Sequence, residues 1–125
     1  MQTTYNIKGG TKMPFIHVKT TAIIDEAKKE VLNTELCRIT KECLGKGENW
    51  VMTGYEDNAS LAFQGTTENI AYVEVKAFGA PSAAGADKMT SGVCQLFEKE
   101  LNIPAGRTYV SYWGTDKWGW NGGNF

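Results

Sequence analysis

The chain has 125 residues, 42% of them hydrophobic, which suffices for one folded domain around one core. Its 13 basic and 14 acidic residues leave a formal charge of −1, which argues against nucleic acid or an anionic membrane as the main partner. No apolar run approaches the roughly 18–20 residues that span a bilayer, and the three cysteines, Cys37, Cys43 and Cys94, are odd in number and lack C-x-x-C spacing. With a single histidine, His17, no metal site is expected, and the cysteines read as reduced core thiols of a cytosolic-type protein.

Residues 1–13 carry no sustained apolar periodicity and read as a leader or tag-like extension ending in an initiator-type Met13. Removal of that methionine would leave Pro14 as a secondary amine, and a free α-amine titrates near enough to neutrality to serve as a base. While residues 1–13 remain attached, the Pro14 nitrogen is an amide without a basic lone pair. Pro14 therefore has two readings, a catalytic base or a proline that opens an edge strand. Pro14 to Thr20 alternates with period two and predicts a strand, in which His17 reads as a packed or surface histidine. Asp25 is a plausible N-cap for a long helix. Its apolar stripe is predicted to run through Ile24, Ala27, Val31, Leu36, Ile39 and Cys43, with Gly45 and Gly47 ending it.

Asn49 to Glu56 reads as a second strand, Asp57-Asn58 as a turn, and Ser60 to Gln64 as a short extra strand. Ile70 to Phe78 is the clearest strand, with Ala71, Val73, Val75 and Ala77 on one face and Glu74 and Lys76 on the other. Gly79-Ala80-Pro81 breaks it. A second helix then carries Met89, Val93, Leu96, Phe97 and Leu101 on one side. Asn102 to Gly106 stops that helix, Thr108 to Trp113 forms a last strand, and a glycine- and aromatic-rich tail runs to Phe125. The order is strand–helix–strand, repeated, which predicts two parallel pairs with both helices on one sheet face. Four tryptophans, five tyrosines and five phenylalanines exceed what such a sheet would leave in water, so self-association is expected.

Met13-Pro14-Phe15-Ile16, Gly45-Lys46, Lys76-Ala77-Phe78-Gly79, Asn102 to Tyr112 and Gly119-Trp120-Asn121 to Phe125 together resemble the macrophage migration inhibitory factor family of the tautomerase superfamily. The resemblance spans about Met13 to Phe125. It implies an α+β fold, a tautomerase-like β-α-β repeat with two helices on a four-stranded mixed sheet, assembled as a trimeric barrel. It also implies keto–enol tautomerisation of phenylpyruvate-like α-keto acids at subunit interfaces, with the amino-terminal proline as general base and acid. No metal or cofactor is called for.

Carried over residue by residue, the resemblance makes Pro14 the catalyst and Lys46 the partner of the substrate carboxylate, although a lysine there also offsets a helix dipole. Phe78 would face substrate through its backbone amide. Tyr109 would reach in from a neighbouring subunit, and Ser111 replaces an expected asparagine, shortening one hydrogen-bonding arm. Trp50 stands where a tyrosine is common and Trp118 where a smaller apolar residue is common, and Phe15 and Phe125 would complete an aromatic wall. Arg107 reads as a structural ion-pairing residue. With Arg38 and Arg107 as the two arginines, monocarboxylates are favoured over dicarboxylates. The alternative is a non-catalytic, cytokine-like signalling or binding protein of the same fold, cytoplasmic or exported without a classical signal peptide. A dehalogenase or decarboxylase reading would need more than Glu74 and Tyr109 near the proline.

Overall fold

The computed structural model describes residues 14–45 and 47–125. The expected leader, residues 1–13, and Lys46 lie outside the described residues. Strands β1 (Phe15–Thr20), β2 (Met52–Glu56), β3 (Ala71–Phe78) and β4 (Thr108–Thr115) form a sheet in the order β2-β1-β3-β4. The pairs β1–β2 and β3–β4 are parallel, as the repeated strand–helix–strand order requires, and β1 and β3 join the halves antiparallel. Helices α1 (Glu26–Leu44) and α2 (Ala83–Leu101) are the two crossovers. Lys28 at the start of α1 pairs with Glu100 at the end of α2 at 2.9 Å, so the helices run antiparallel.

Both helices start and stop where the local chemistry dictates. The Asp25 carboxylate accepts from the Lys28 amide and the Ser82 hydroxyl from the Gly85 amide, each satisfying an orphan donor of a first turn. Gly45 (φ 70°) and Asn102 (φ 57°) close the other ends in the left-handed region. The core lies between helices and sheet: Ile16, Val18, Val73 and Val75 below, Leu32, Leu36, Met89, Val93 and Phe97 above. Two sheet tyrosines tie the layers with hydrogen bonds. Tyr55 donates to Asn33 at 2.6 Å and Tyr112 meets Thr90 at 2.8 Å, and burial pushes both phenols up to about 12.

Several expectations need correction. The buried positions of α1 are Leu32, Leu36, Ile39 and Thr40, whereas Ala27 and Val31 face water. A stripe carried from Ile24 in three- to five-residue steps drifts off the true 3.6-residue face, and Thr40 is tolerated inside because its hydroxyl bonds the Leu36 carbonyl at 2.7 Å. The second strand begins only at Met52, because β1 begins at Phe15 and the register sets these two opposite each other; Glu48–Trp50 is a 3₁₀ turn instead. Ser60 to Gln64 is no strand. Phe63 and Thr66 make one isolated bridge around Gln64 (φ 53°) and Gly65 (φ 77°), a tight turn with no sheet edge to join. The tail is a small hairpin, β5 (Gly119–Trp120) against β6 (Gly123–Asn124), turned by Asn121-Gly122.

Arg107 is structural, as expected, but its partners are main-chain carbonyls rather than carboxylates. It donates to Phe63, Thr66, Glu68 and Asn69 at 3.0–3.3 Å and lies over the Phe63 ring. It thus fastens the long loop after β2 to the start of β4.

Candidate active site

Alternation along the strands turns one set of side chains into the core and the other onto the helix-free face. On that face the register lines up Met52, Phe15, Lys76 and Trp113 across the sheet, then Gly54, His17, Glu74 and Ser111, then Glu56, Lys19, Tyr72 and Tyr109. The first row is the end at which β1 begins. Pro14 is buried there, and its carbonyl accepts from the Met52 amide at 2.9 Å.

Beside it the first row opens into a recess of about 360 Å³ lined by Phe15, Met52, Lys76, Ala77, Trp113, Gly114, Thr115 and Trp118, almost entirely apolar. The carboxy-terminal hairpin folds over the same end. Trp120 meets Trp50 edge-on at 4.9 Å, Phe125 meets Phe78 edge-on at 5.4 Å, and the Phe125 amide bonds the Trp118 carbonyl at 3.0 Å. Five of the predicted residues, Phe15, Trp50, Phe78, Trp118 and Phe125, therefore gather with Pro14 at one end of the sheet.

Tyr109 and Ser111 do not join them within the chain. Tyr109 lies four residues from Trp113 along β4, about 13 Å at the usual strand rise, and packs edge-on against Phe63 at 5.2 Å. Ser111 sits midway and is hydrogen-bonded to Tyr72 at 3.0 Å and to the Trp113 indole at 3.1 Å. Met52, Lys76, Trp113 and Trp120 were not singled out from sequence as site residues. For Lys76 and Trp113 the signal was present: each shares the period-two phase of a residue already assigned to the site, Phe78 on β3 and Ser111 on β4.

The second row holds the histidine. His17 Nε2 lies 2.6 Å from Glu56 and Nδ1 lies 3.7 Å from Glu74, so this histidine is engaged by two carboxylates on the sheet face. Desolvation pushes the Glu74 carboxyl up, but the Tyr72 hydrogen bond and the charges of Lys76 and His17 outweigh it and leave it below its ordinary value. The cysteines are half-buried, and desolvation raises the Cys43 and Cys94 thiols, which opposes thiolate chemistry. Among the described residues no His, Cys, Asp and Glu cluster could hold a metal ion, and no helix is long and apolar enough to cross a membrane. A larger groove of about 660 Å³ runs between the helices. Its Arg38 is already paired with Glu35 and Glu42, and none of the described candidate site residues lines it, so the aromatic end of the sheet is the stronger candidate.

The sequence profile described as macrophage migration inhibitory factor matches residues 13–125. A macrophage migration inhibitory factor of Xenopus laevis is 24% identical over 115 residues, covering 90% of this chain and 99% of the relative. Among solved structures, a homologue from Leishmania major is 38% identical with a TM-score of 0.88, covering 93% of this chain and all of its own. Another from Prochlorococcus marinus is 34% identical with a TM-score of 0.78, covering 89% of this chain and 98% of its own.

Proposed function

The chain belongs to the macrophage migration inhibitory factor family, and on that footing we propose that it is a keto–enol tautomerase of phenylpyruvate-like α-keto acids. The working form begins at Pro14, after release of residues 1–13, and acts as a homotrimer without cofactor. The Pro14 secondary amine removes a proton from the carbon α to the ketone and returns one at the enol oxygen, or the reverse. Burial disfavours the charged amine and so brings its pKa toward neutrality. Lys46 holds the substrate carboxylate, the Phe78 backbone amide faces the substrate, and Phe15, Trp50, Trp118 and Phe125 enclose its ring.

The observation that carries this reading is a buried Pro14 directly preceding Phe15, which lines an apolar, aromatic recess. The separation of Tyr109 from that end within one chain supports a site completed by the Tyr109 of a neighbouring copy. The test is intact mass of the natural protein paired with a phenylpyruvate enol-to-keto assay. A mass beginning at Pro14, with Pro14→Gly lowering kcat/KM by about 100-fold or more, is the expected result. A protein beginning at Pro14 that turns over no aryl keto acid would refute the activity.

The second reading is a cytokine-like binding protein, cytoplasmic or exported. It is favoured by the amide character of the Pro14 nitrogen while Met13 is attached. A mass beginning at Met1, with activity appearing only after cleavage behind Met13, would assign that role to the full-length form.

A further inference from the structure

We propose that Trp113, held in place by Ser111, is the aryl-binding wall of the recess, and that Lys76 at its rim takes the carboxylate of an aryl monocarboxylate ligand. The proposal rests on the tautomerase reading for its substrate class, yet it reassigns three residues. Ser111 becomes a positioning residue instead of a substrate-binding arm, and Lys76 enters the site and takes the carboxylate in place of Lys46.

A serine hydroxyl has one proton to donate and two lone pairs. Ser111 Oγ accepts from the Trp113 indole N–H at 3.1 Å, and its own proton is shared between the Tyr72 hydroxyl at 3.0 Å and the Val73 carbonyl at 3.5 Å. Tyr72 in turn reaches Glu74 at 3.2 Å, which anchors the far end of the network. With its proton committed inside this network, Ser111 has none to offer a ligand. What the network does instead is fix the indole plane of Trp113, a side chain 54% exposed that would otherwise rotate freely.

The recess beneath that indole suits a flat apolar group. Its walls are Phe15, Trp113, Trp118 and Met52, and Phe15 directly follows Pro14 in the chain. Lys76 contributes its aliphatic stem to the lining while its ammonium stands 3.7 Å from Glu74, too far for a hydrogen bond. That long contact leaves the ammonium able to turn to a carboxylate whose ring fills the recess. The charge and the apolar lining together select an aryl acid over a neutral aryl group.

The test is calorimetric binding of 3-phenylpropionate, which has no ketone and does not react, to the full chain, with 3-phenylpropionamide as the uncharged control. Trp113→Ala is expected to weaken the acid about tenfold or more. Ser111→Ala is expected to weaken it about fivefold, with Ser111→Thr restoring it, because only the tether to the indole has been removed and replaced. Lys76→Met is expected to weaken the acid but not the amide. Trp113→Ala binding as the parent does, or Lys76→Met weakening acid and amide alike, would overturn the assignment. So would a change in oligomer mass for Trp113→Ala with binding unmoved, which would make the recess a contact between copies. The predicted binding pattern in a protein that turns over no keto acid would uphold the aryl-carboxylate site and reject the tautomerase activity.

Discussion

Gly114 is the position at which a single methyl group would test the geometry of the site's end of the sheet. A Cβ built there would lie 2.7 Å from Ala80 Cα, 2.8 Å from the Gly79 oxygen and 2.9 Å from the Ala80 nitrogen, all backbone atoms. Relief therefore requires β4 and the Gly79-Ala80 turn to separate, which would strain the 2.8 Å bond from the Gly79 amide to the Thr115 carbonyl. Overpacking of this kind costs about 1–3 kcal/mol, against a gain of about 0.4–1 kcal/mol from a stiffer unfolded chain. Gly114→Ala should thus be destabilised by about 1–2 kcal/mol, or about 4–8 °C in Tm for a domain of this size.

Gly54 supplies the contrast. Its Cβ would press on the Phe15 ring, at 3.2 and 3.3 Å, with His17 Cδ2 at an ordinary 3.8 Å, and a ring can move by a few tenths of an ångström where backbone cannot. For Gly54→Ala the two effects nearly cancel, and a net change within about 0.5 kcal/mol is expected. Urea unfolding of both variants at one protein concentration, so that association does not enter, reads the difference. A Gly114→Ala protein as stable as the parent would refute the claim that the turn is packed directly on β4.

Further outcomes follow from the same contacts. Leu32→Ala should cost about 2–5 kcal/mol and Val31→Ala only about 0.5 kcal/mol, because Leu32 is fully buried and Val31 is 41% exposed; equal losses in denaturant unfolding would mean that the core face of α1 is misplaced. Arg107→Lys keeps the charge but cannot span four carbonyls, so a loss of about 2 kcal/mol and faster proteolysis in residues 57–70 are expected; an unchanged cleavage pattern would count against the clamp. The Asp57 carboxyl is held below its ordinary value chiefly by the Ile24 amide, which donates to it at 2.8 Å. A depressed folded pKa means that the unfolded chain binds the extra proton first, so this contribution is complete above about pH 4 and is lost as pH falls through the folded value. Asp57→Asn should therefore flatten the acid limb of the stability–pH curve, and an unaltered limb would show that the contact contributes nothing.

Where side-chain period and end signals agree, the elements were readable from the residues in isolation. β3 alternates without interruption, α2 carries Met89, Val93, Leu96, Phe97 and Leu101 on one face, and Asp25, Gly45 and Asn102 mark helix ends by chemistry that acts within one turn. The tail hairpin was not read from the residues although its Asn-Gly is a strong short hairpin signal, because its two-residue strands are too brief to show a period. The start of β2 was not legible, because it depends on where β1 begins to offer partners.

The site divides along the same line. Local chemistry singled out Pro14 as a candidate base, and aromatic abundance pointed to surfaces needing cover. Neither could say that Phe15, Trp113 and Trp118 share one recess, or that Ser111 is occupied by an indole two residues away. The residues alone determined the order of the four main strands and two helices, the ends of the helices, and the side of β3 that enters the core, because those depend on neighbours within a few positions. Only the tertiary structure decided which rows meet across the sheet, because register couples residues separated by dozens of positions and is set by all four strands at once.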